Sequence, residues 1–425
     1  MHRDFDIFIK DLSKIEGHTD LDVKVREGKV QEVKLRITEN KRFYTQAVRG
    51  KSCLNVHQLV SRICGTCSIA HMTACVECVE NALNINPSSQ TKLLRNLTMD
   101  GLMIRDHAMH LYLFCLPDLF GVDSVLEFEG EKKELLKKAL SVKSAGNELS
   151  KWIAGRAVHA PFPMIGHYAK LPDMSRKNEI LKALKTAREH SVEFIDVFAD
   201  CKFSLKRDTQ FVGLANESYN FIGGAIHTSQ KTCIPPEHFW DHLHRIVIPY
   251  SQATGFEFEG QDYLVGALAR LNLNKQNLHS RTRKTIPKYL ATFPSNNIFH
   301  NNLAQAIEIL NCIDSSIDAI ESFDPKEEPK PELKPKASSG VGVIEAPRGT
   351  LYYKLKIDNE GKVLDANLVI PTAQNQVLME KDVGRVVQNN LSKGKEFVQF
   401  EVEKLIRAYD PCMSCATHFL RINWL

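Results

Sequence analysis

Two short stretches at opposite ends of the chain constrain its fold more than anything else in it. Arg62-Ile-Cys64-Gly-Thr-Cys67-Ser-Ile-Ala-His71 and Asp410-Pro-Cys412-Met-Ser-Cys415-Ala-Thr-His418 each place two thiols three residues apart, with a histidine three or four residues after the second. In a loop that runs into a helix, this spacing lets both sulfurs face one point and sets the histidine a turn further on. Amides and the dipole at a helix start favour the thiolate, the form that binds metal. Two matched pairs therefore ask the fold to bring its ends together around one soft metal. Spacing alone leaves three readings open: a closed structural zinc, redox dithiols, or a catalytic metal held by four thiolates. Structural zinc usually staples a small module, and a chain of 425 residues buries enough core without one. No thioredoxin-like βαβ pattern supports the dithiols. The catalytic metal is the favoured reading.

Composition removes other classes. The net charge is only +4, with no Lys/Arg run or basic-aromatic stripe to suit nucleic acid. No apolar stretch approaches the roughly 20 residues that span a bilayer. The N-terminal MHRDFDIFIKDLSKIEGH lacks the apolar centre of a signal peptide. An odd count of eleven cysteines argues for reduced thiols in a cytoplasmic setting rather than a disulfide scaffold. Cys75 and Cys78 form a third Cys-x-x-Cys, but inside a helical stripe they read as small packing residues. The isolated Cys53, Cys115, Cys201, Cys233 and Cys312 read the same way.

The pattern predicts an α+β fold, mainly helical, with a helical core and small peripheral β-hairpins. Residues 21–37 alternate around Glu27-Gly28, and residues 351–370 around Asn359-Glu360-Gly361; the two hairpins are expected to share one small sheet. Helices are expected at 54–83, 88–115, 130–154, 174–200, 236–252, 262–272, 301–322, 374–391 and 396–409. DPKEEPKPELKPKASSG (324–340) is too proline-rich and charged to bury much and reads as an extended surface arm. The organisation expected is one catalytic domain over 1–425. It comprises a β region to residue 50, a helical core over 51–323, the arm, and a C-terminal part over 341–425 that carries the second cysteine pair.

Both cysteine motifs resemble the paired signatures of nickel–iron hydrogenase large subunits. Lys14-Ile-Glu16-Gly17-His18 is similar to that family's N-terminal Arg-x-Glu-Gly-His element. RNLTMDGLMIRDHAMHLYLFCLPD (95–118), NNLAQAIEI (301–309), EAPRG (345–349) and IPTAQN (370–375) also look like family segments. The likeness runs nearly the whole chain and looks closest to the cytosolic sulfhydrogenase-type subgroup. It places the proline-rich arm inside a single unit, as a loop.

The resemblance implies a Ni–Fe centre whose iron carries CO and CN ligands. Cys64, Cys67, Cys412 and Cys415 would bind nickel, with Cys67 and Cys415 bridging to iron. Soft thiolates suit a metal that changes oxidation state. Heterolytic splitting of H2 needs a hydride acceptor and a proton acceptor; the metals would be the first and Cys412 the second, with Glu16 carrying the proton outward. That task requires a carboxyl whose pKa burial has raised. Arg348 would hang over the metals as a polarising group, a base partner or a donor to cyanide, oriented by Asp106 and Asp410. Pro347, Pro371 and Thr372 match segments that pack on or hydrogen-bond the diatomic ligands, and His71 a residue that donates to a cysteine sulfur.

His418 would help hold a magnesium-type ion near the C-terminus. Family members tend to supply a carboxylate where this chain has Thr45, with Glu39 a candidate substitute. The chain carries no second cysteine set for an electron relay, so the resemblance implies a small iron–sulfur subunit as partner, with flavin or further iron–sulfur subunits behind it. FLRINWL after His418 reads either as an extension that a maturation protease removes once nickel is in place or as a permanent short tail.

Overall fold

The computed structural model describes residues 4–40 and 43–417. His418 and the FLRINWL segment lie outside the described residues.

The N-terminal β region is a three-stranded antiparallel sheet of Phe5–Ile9, Thr19–Arg26 and Lys29–Ile37, in that order. Its hairpin turns at Glu27 and Gly28, both with positive φ (51° and 70°), the pairing that matches strand twist in a two-residue turn. The second strand alternates buried and more open positions. The sheet docks on the helix Pro371–Asn390, where Glu380 accepts a hydrogen bond from Leu35 N at 2.9 Å.

Five helices make the core: Ser68–Leu83, Ser89–Met109, Glu131–Ala154, Lys177–Ala199 and His300–Ser322. Ser88 caps the second by accepting from Thr91 N at 3.0 Å. Gly101 and Gly146 let the second and third helices approach closely, since a Cβ at Gly146 would meet Arg105 N. The helix expected to end before Pro117 continues instead. Its last turns widen into a π-helical segment, His110–Cys115, and Pro117 then opens the short helix Leu116–Phe120, where its missing N–H costs nothing.

The C-terminal sheet contains Ser338–Ala346, Gly349–Ile357 and Val363–Val369. The two hairpins expected to share a sheet are therefore in separate ones. The first of these strands lies flat on the helix Ser68–Leu83. Side chains at Gly340 and Gly342 would collide with the carbonyls of Cys78 and Ala74, so glycine makes the contact possible.

Two more β units were not expected. One is a sheet in the order Cys233–Ile234, Ala225–Thr228, Gln210–Ala215, Tyr263–Leu264; the other is a hairpin of Leu243–Val247 with Thr254–Phe258. The helix expected over 236–252 is thus a 3₁₀ stretch, Pro236–His242, followed by a strand. That expected over 262–272 is confined to Ala267–Asn274. The arm has no helix or strand until Ser338. It is pinned at Gln90, whose amide exchanges hydrogen bonds with the Lys326 backbone at 2.8 Å. No helix among the described residues is long and apolar enough to cross a membrane.

Candidate metal centre

The chain breaks its helix at Cys64, which is extended, and restarts it at Ser68 with Cys67 as N-cap. The second jaw follows the helix Lys395–Ala408. Asp410 turns the chain with a positive φ of 51°, a conformation aspartate tolerates better than most residues, and Cys412 caps the short helix Met413–Ala416. The four thiols converge, buried, with all their sulfurs within 4.8 Å of one another. Cys64 Sγ lies 3.5 Å from Cys412 Sγ, Cys67 Sγ 3.1 Å from Cys415 Sγ, and Cys412 Sγ 2.8 Å from Cys415 Sγ. They are the single group of three or more His, Cys, Asp or Glu side chains placed to hold a metal among the described residues.

Helix starts were expected to favour all four thiolates. Instead, hydrogen bonds from Cys412, Cys415 and Cys67 hold Cys64 well below the usual thiol range. Burial pushes Cys412 and Cys415 well above it. Burial thus works against negative charge on Cys412 and Cys415, and a cation among the sulfurs would offset it. That is the condition a soft, thiolate-bound metal ion satisfies.

The N-terminal segment reaches in from the other side. Met413 N donates to Glu16 O at 2.9 Å, and Glu16 and Cys412 pair like residues of parallel strands. This places Glu16 Oε2 3.0 Å from Cys412 Sγ and 3.2 Å from Ser414 N. Burial, helped by the Cys64 charge, raises the Glu16 carboxyl above its usual range against hydrogen bonds from Cys412 and Ser414. The raised pKa expected of a proton carrier is present.

Arg348 sits at the turn between the first two strands of the C-terminal sheet, only 5% exposed. Its Nη1 donates to Asp106 Oδ2 at 2.8 Å, and its Nη2 lies 3.0 Å from Asp410 Oδ1, off the hydrogen-bond line. Burial alone would weaken its charge, but Asp106 and Asp410 outweigh it and hold the pKa above its usual value. Nε and Nη2 are buried without hydrogen-bond acceptors.

A cavity of about 10 Å³ separates the guanidinium from the sulfurs, close to the room one water needs. Cys67, Cys412 and Cys415 line it, together with Ala346, Pro347, Ile370, Pro371 and Thr372. Thr372 Oγ1 accepts from Cys412 N at 2.9 Å, which leaves its hydroxyl hydrogen to donate. In chemistry, though not in its present volume, a lining of apolar walls and unmet donors beside soft sulfurs suits an iron carrying cyanide and carbonyl. Pro347, Pro371 and Thr372 all line this cavity.

His71 also meets its expectation, with Nε2 3.4 Å from Cys415 Sγ. Burial lowers its pKa to about 4, so the ring is neutral. The sequence reading missed the supporting residues. Tyr353 OH lies 2.7 Å from His71 Nδ1, Gln305 Nε2 donates to Asp410 Oδ2 at 2.8 Å, and Arg105 Nη2 donates to Thr66 O at 2.6 Å. Arg270 donates to the carbonyls of Ala346 and Pro347 at 3.0 and 3.1 Å, holding the turn that carries Arg348. Arg105 and Gln305 fall in the family-like segments 95–118 and 301–309, whereas Tyr353 and Arg270 had no such signal.

The magnesium-type site expected at His418 lies in part outside the described residues. Glu39 Oε2 accepts from His18 N at 3.2 Å, Thr45 is buried, and His418 falls outside them. Cys75, Cys78, Cys53, Cys115 and Cys312 are buried as expected, but Cys233 is exposed and Cys201 partly so. Both lie outside the core helices, on a short edge strand and just after a helix end.

A buried four-cysteine cradle closed by two distant segments around a helical core defines a metal-holding subunit. The nickel-dependent hydrogenase family model matches residues 42–155 and 243–418. Sulfhydrogenase 1 subunit alpha of Pyrococcus furiosus is 31% identical over 422 residues, covering 98% of each chain. Sulfhydrogenase 2 subunit alpha of the same organism is 29% identical, covering 98% of this chain and all of that one. Among solved structures, an NAD⁺-reducing [NiFe]-hydrogenase chain in the H2-reduced state superposes with a TM-score of 0.85 at 24% identity, covering 97% of this chain and 99% of that one. The chain belongs to the nickel-dependent hydrogenase family, as a catalytic large subunit with a Ni–Fe centre. Its likeness to the sulfhydrogenase alpha subunits runs nearly the full length of both chains.

Proposed function

We propose that this chain is the hydrogen-activating subunit of a multi-subunit, cytoplasmic hydrogenase, folded as one catalytic domain over 1–425 with the proline-rich arm as an internal loop. Cys64, Cys67, Cys412 and Cys415 would hold the metals. When bound, the centre supplies the electron acceptor for heterolytic cleavage of H2.

The chain's own residues manage the proton. Cys412 Sγ receives it, and Glu16 Oε2, 3.0 Å away, takes it onward as a carboxyl poised by burial. Arg348, held by Asp106 and Asp410, offers its two unmet donors to negative charge in the cavity. Thr372 steadies Cys412 through its amide, and His71 steadies Cys415.

The observation that carries this reading is the junction of Glu16 with Cys412 inside the four-sulfur cradle. Electrons leave through a partner. The seven other cysteines form no metal-holding group among the described residues, so a small iron–sulfur subunit is required, with NAD(P), deazaflavin, ferredoxin or a disulfide reductase beyond it.

Elemental analysis of the purified complex tests the metal, with about one nickel per large subunit expected and zinc alone overturning it. Glu16→Gln tests the proton path. Exchange between D2 and water should fall about 10²–10⁴-fold with nickel retained; unchanged exchange would remove Glu16 from the mechanism.

A further inference from the structure

Behind Cys415 stands a buried chain of hydroxyl, imidazole and sulfur that ends on a residue with no assigned part. Tyr353 is fully buried on the strand Gly349–Ile357. Its hydroxyl lies 2.7 Å from His71 Nδ1, while His71 Nε2 lies 3.4 Å from Cys415 Sγ. The two rings meet edge-on, with centroids 6.0 Å apart and planes at 71°. Among the described residues the Tyr353 hydroxyl has no other hydrogen-bond partner.

Only one placement of hydrogens satisfies all three groups. A neutral imidazole has a single N–H. On Nε2 it donates to the Cys415 sulfur, and Nδ1 accepts the Tyr353 hydroxyl hydrogen. On Nδ1 it would turn the Nε2 lone pair towards an electron-rich sulfur and leave the tyrosine hydrogen buried without an acceptor, a costly arrangement. A tyrosine that served packing alone would not need its hydroxyl aimed at the ring nitrogen.

We propose that Tyr353 is a positioning residue for the Ni–Fe chemistry, its hydroxyl fixing the His71 tautomer so that Nε2–H donates to Cys415. An N–H···S bond withdraws electron density from a ligating thiolate, and hydrogen bonds to ligand sulfur are a recognised control on metal potential. Tyr353 thereby sets how electron-rich the centre is without touching it. The inference rests on the reading of Cys415 as a ligand of that centre.

The test compares the nickel-loaded complex with its Tyr353→Phe, His71→Ala and doubly substituted forms. It reads nickel content, melting temperature, the infrared bands of the carbonyl and cyanide ligands, and the midpoint potential of the nickel couple. Tyr353→Phe keeps the ring and should keep nickel and melting temperature close to wild type. Its carbonyl band should move to lower wavenumber and its potential in the negative direction. In the His71→Ala background the same change should shift neither. Unchanged bands and potential in nickel-loaded Tyr353→Phe would overturn the proposal, as would a shift that persists without His71. A wild-type complex with no such bands would instead overturn the Ni–Fe reading itself.

Discussion

At the scale of single residues, burial decides which groups carry charge. Asp100, on the helix Ser89–Met109, accepts a hydrogen bond from Ser316 Oγ at 3.2 Å, and burial pushes its pKa up to about 7. The unfolded carboxyl ionises near pH 4. Between about pH 4 and 7 the native state therefore holds one more proton than the unfolded state. Stability then falls as pH rises through that window, by at most about 1.4 kcal/mol per pH unit from this group. Asp100→Asn should flatten that slope, melting near wild type at pH 5 and higher than wild type at pH 8, as thermal unfolding at both values will read. Thr372→Val should leave the Cys412 amide without its acceptor and lower stability by about 1–3 kcal/mol, with the melting temperature as readout. The ligands were legible in the sequence because paired thiols are rare and their spacing tight, and Glu16 only through the resemblance of its Glu-Gly-His element. Tyr353 and Arg270 were not, because each is an ordinary residue whose partner lies far along the chain.

At the scale of elements, close approach matters more than propensity. The strand Ser338–Ala346 lies against the helix Ser68–Leu83 only because Gly340 and Gly342 carry no side chain. Alanine at either position should cost about 1–3 kcal/mol or more. Gly384→Ala, inside the helix Pro371–Asn390 with only Val33 near the new carbon at 3.4 Å, should gain up to about 1 kcal/mol. Melting temperatures of the three variants separate these outcomes.

The same physics explains which elements could be read in advance. The long amphipathic helix Lys177–Ala199 shows its period in the sequence. The strand Gln210–Ala215 is buried at every position, so it shows no alternation. Residues 243–247 took the wrong assignment because pairing with Thr254–Phe258 overrode a weak helical spacing.

At the scale of the whole molecule, two jaws nearly the full chain length apart share one cradle, so the bound metal also crosslinks the fold. A ligand that binds only the native state stabilises it by mass action. Chelated or nickel-free protein should therefore melt at lower temperature and be cut faster by protease near the C-terminal jaw than nickel-loaded protein. Equal melting temperatures would mean that the metal is not held preferentially by the native fold. The convergence itself was readable from the motifs. The separate sheets were not, since they depend on what packs around each hairpin.

The backbone pairing of Glu16 with Cys412 acts as a ruler. The gap between carboxyl and sulfur is set by main-chain register, with Leu12 N tied to Thr19 O at 3.0 Å on one side and Glu16 O tied to Met413 N at 2.9 Å on the other. Deleting one residue from 13–15 would slide Gly17 into the slot facing the sulfur and swing the carboxyl out of reach. A change in loop length, with every functional side chain still encoded, would then mimic loss of the acid itself.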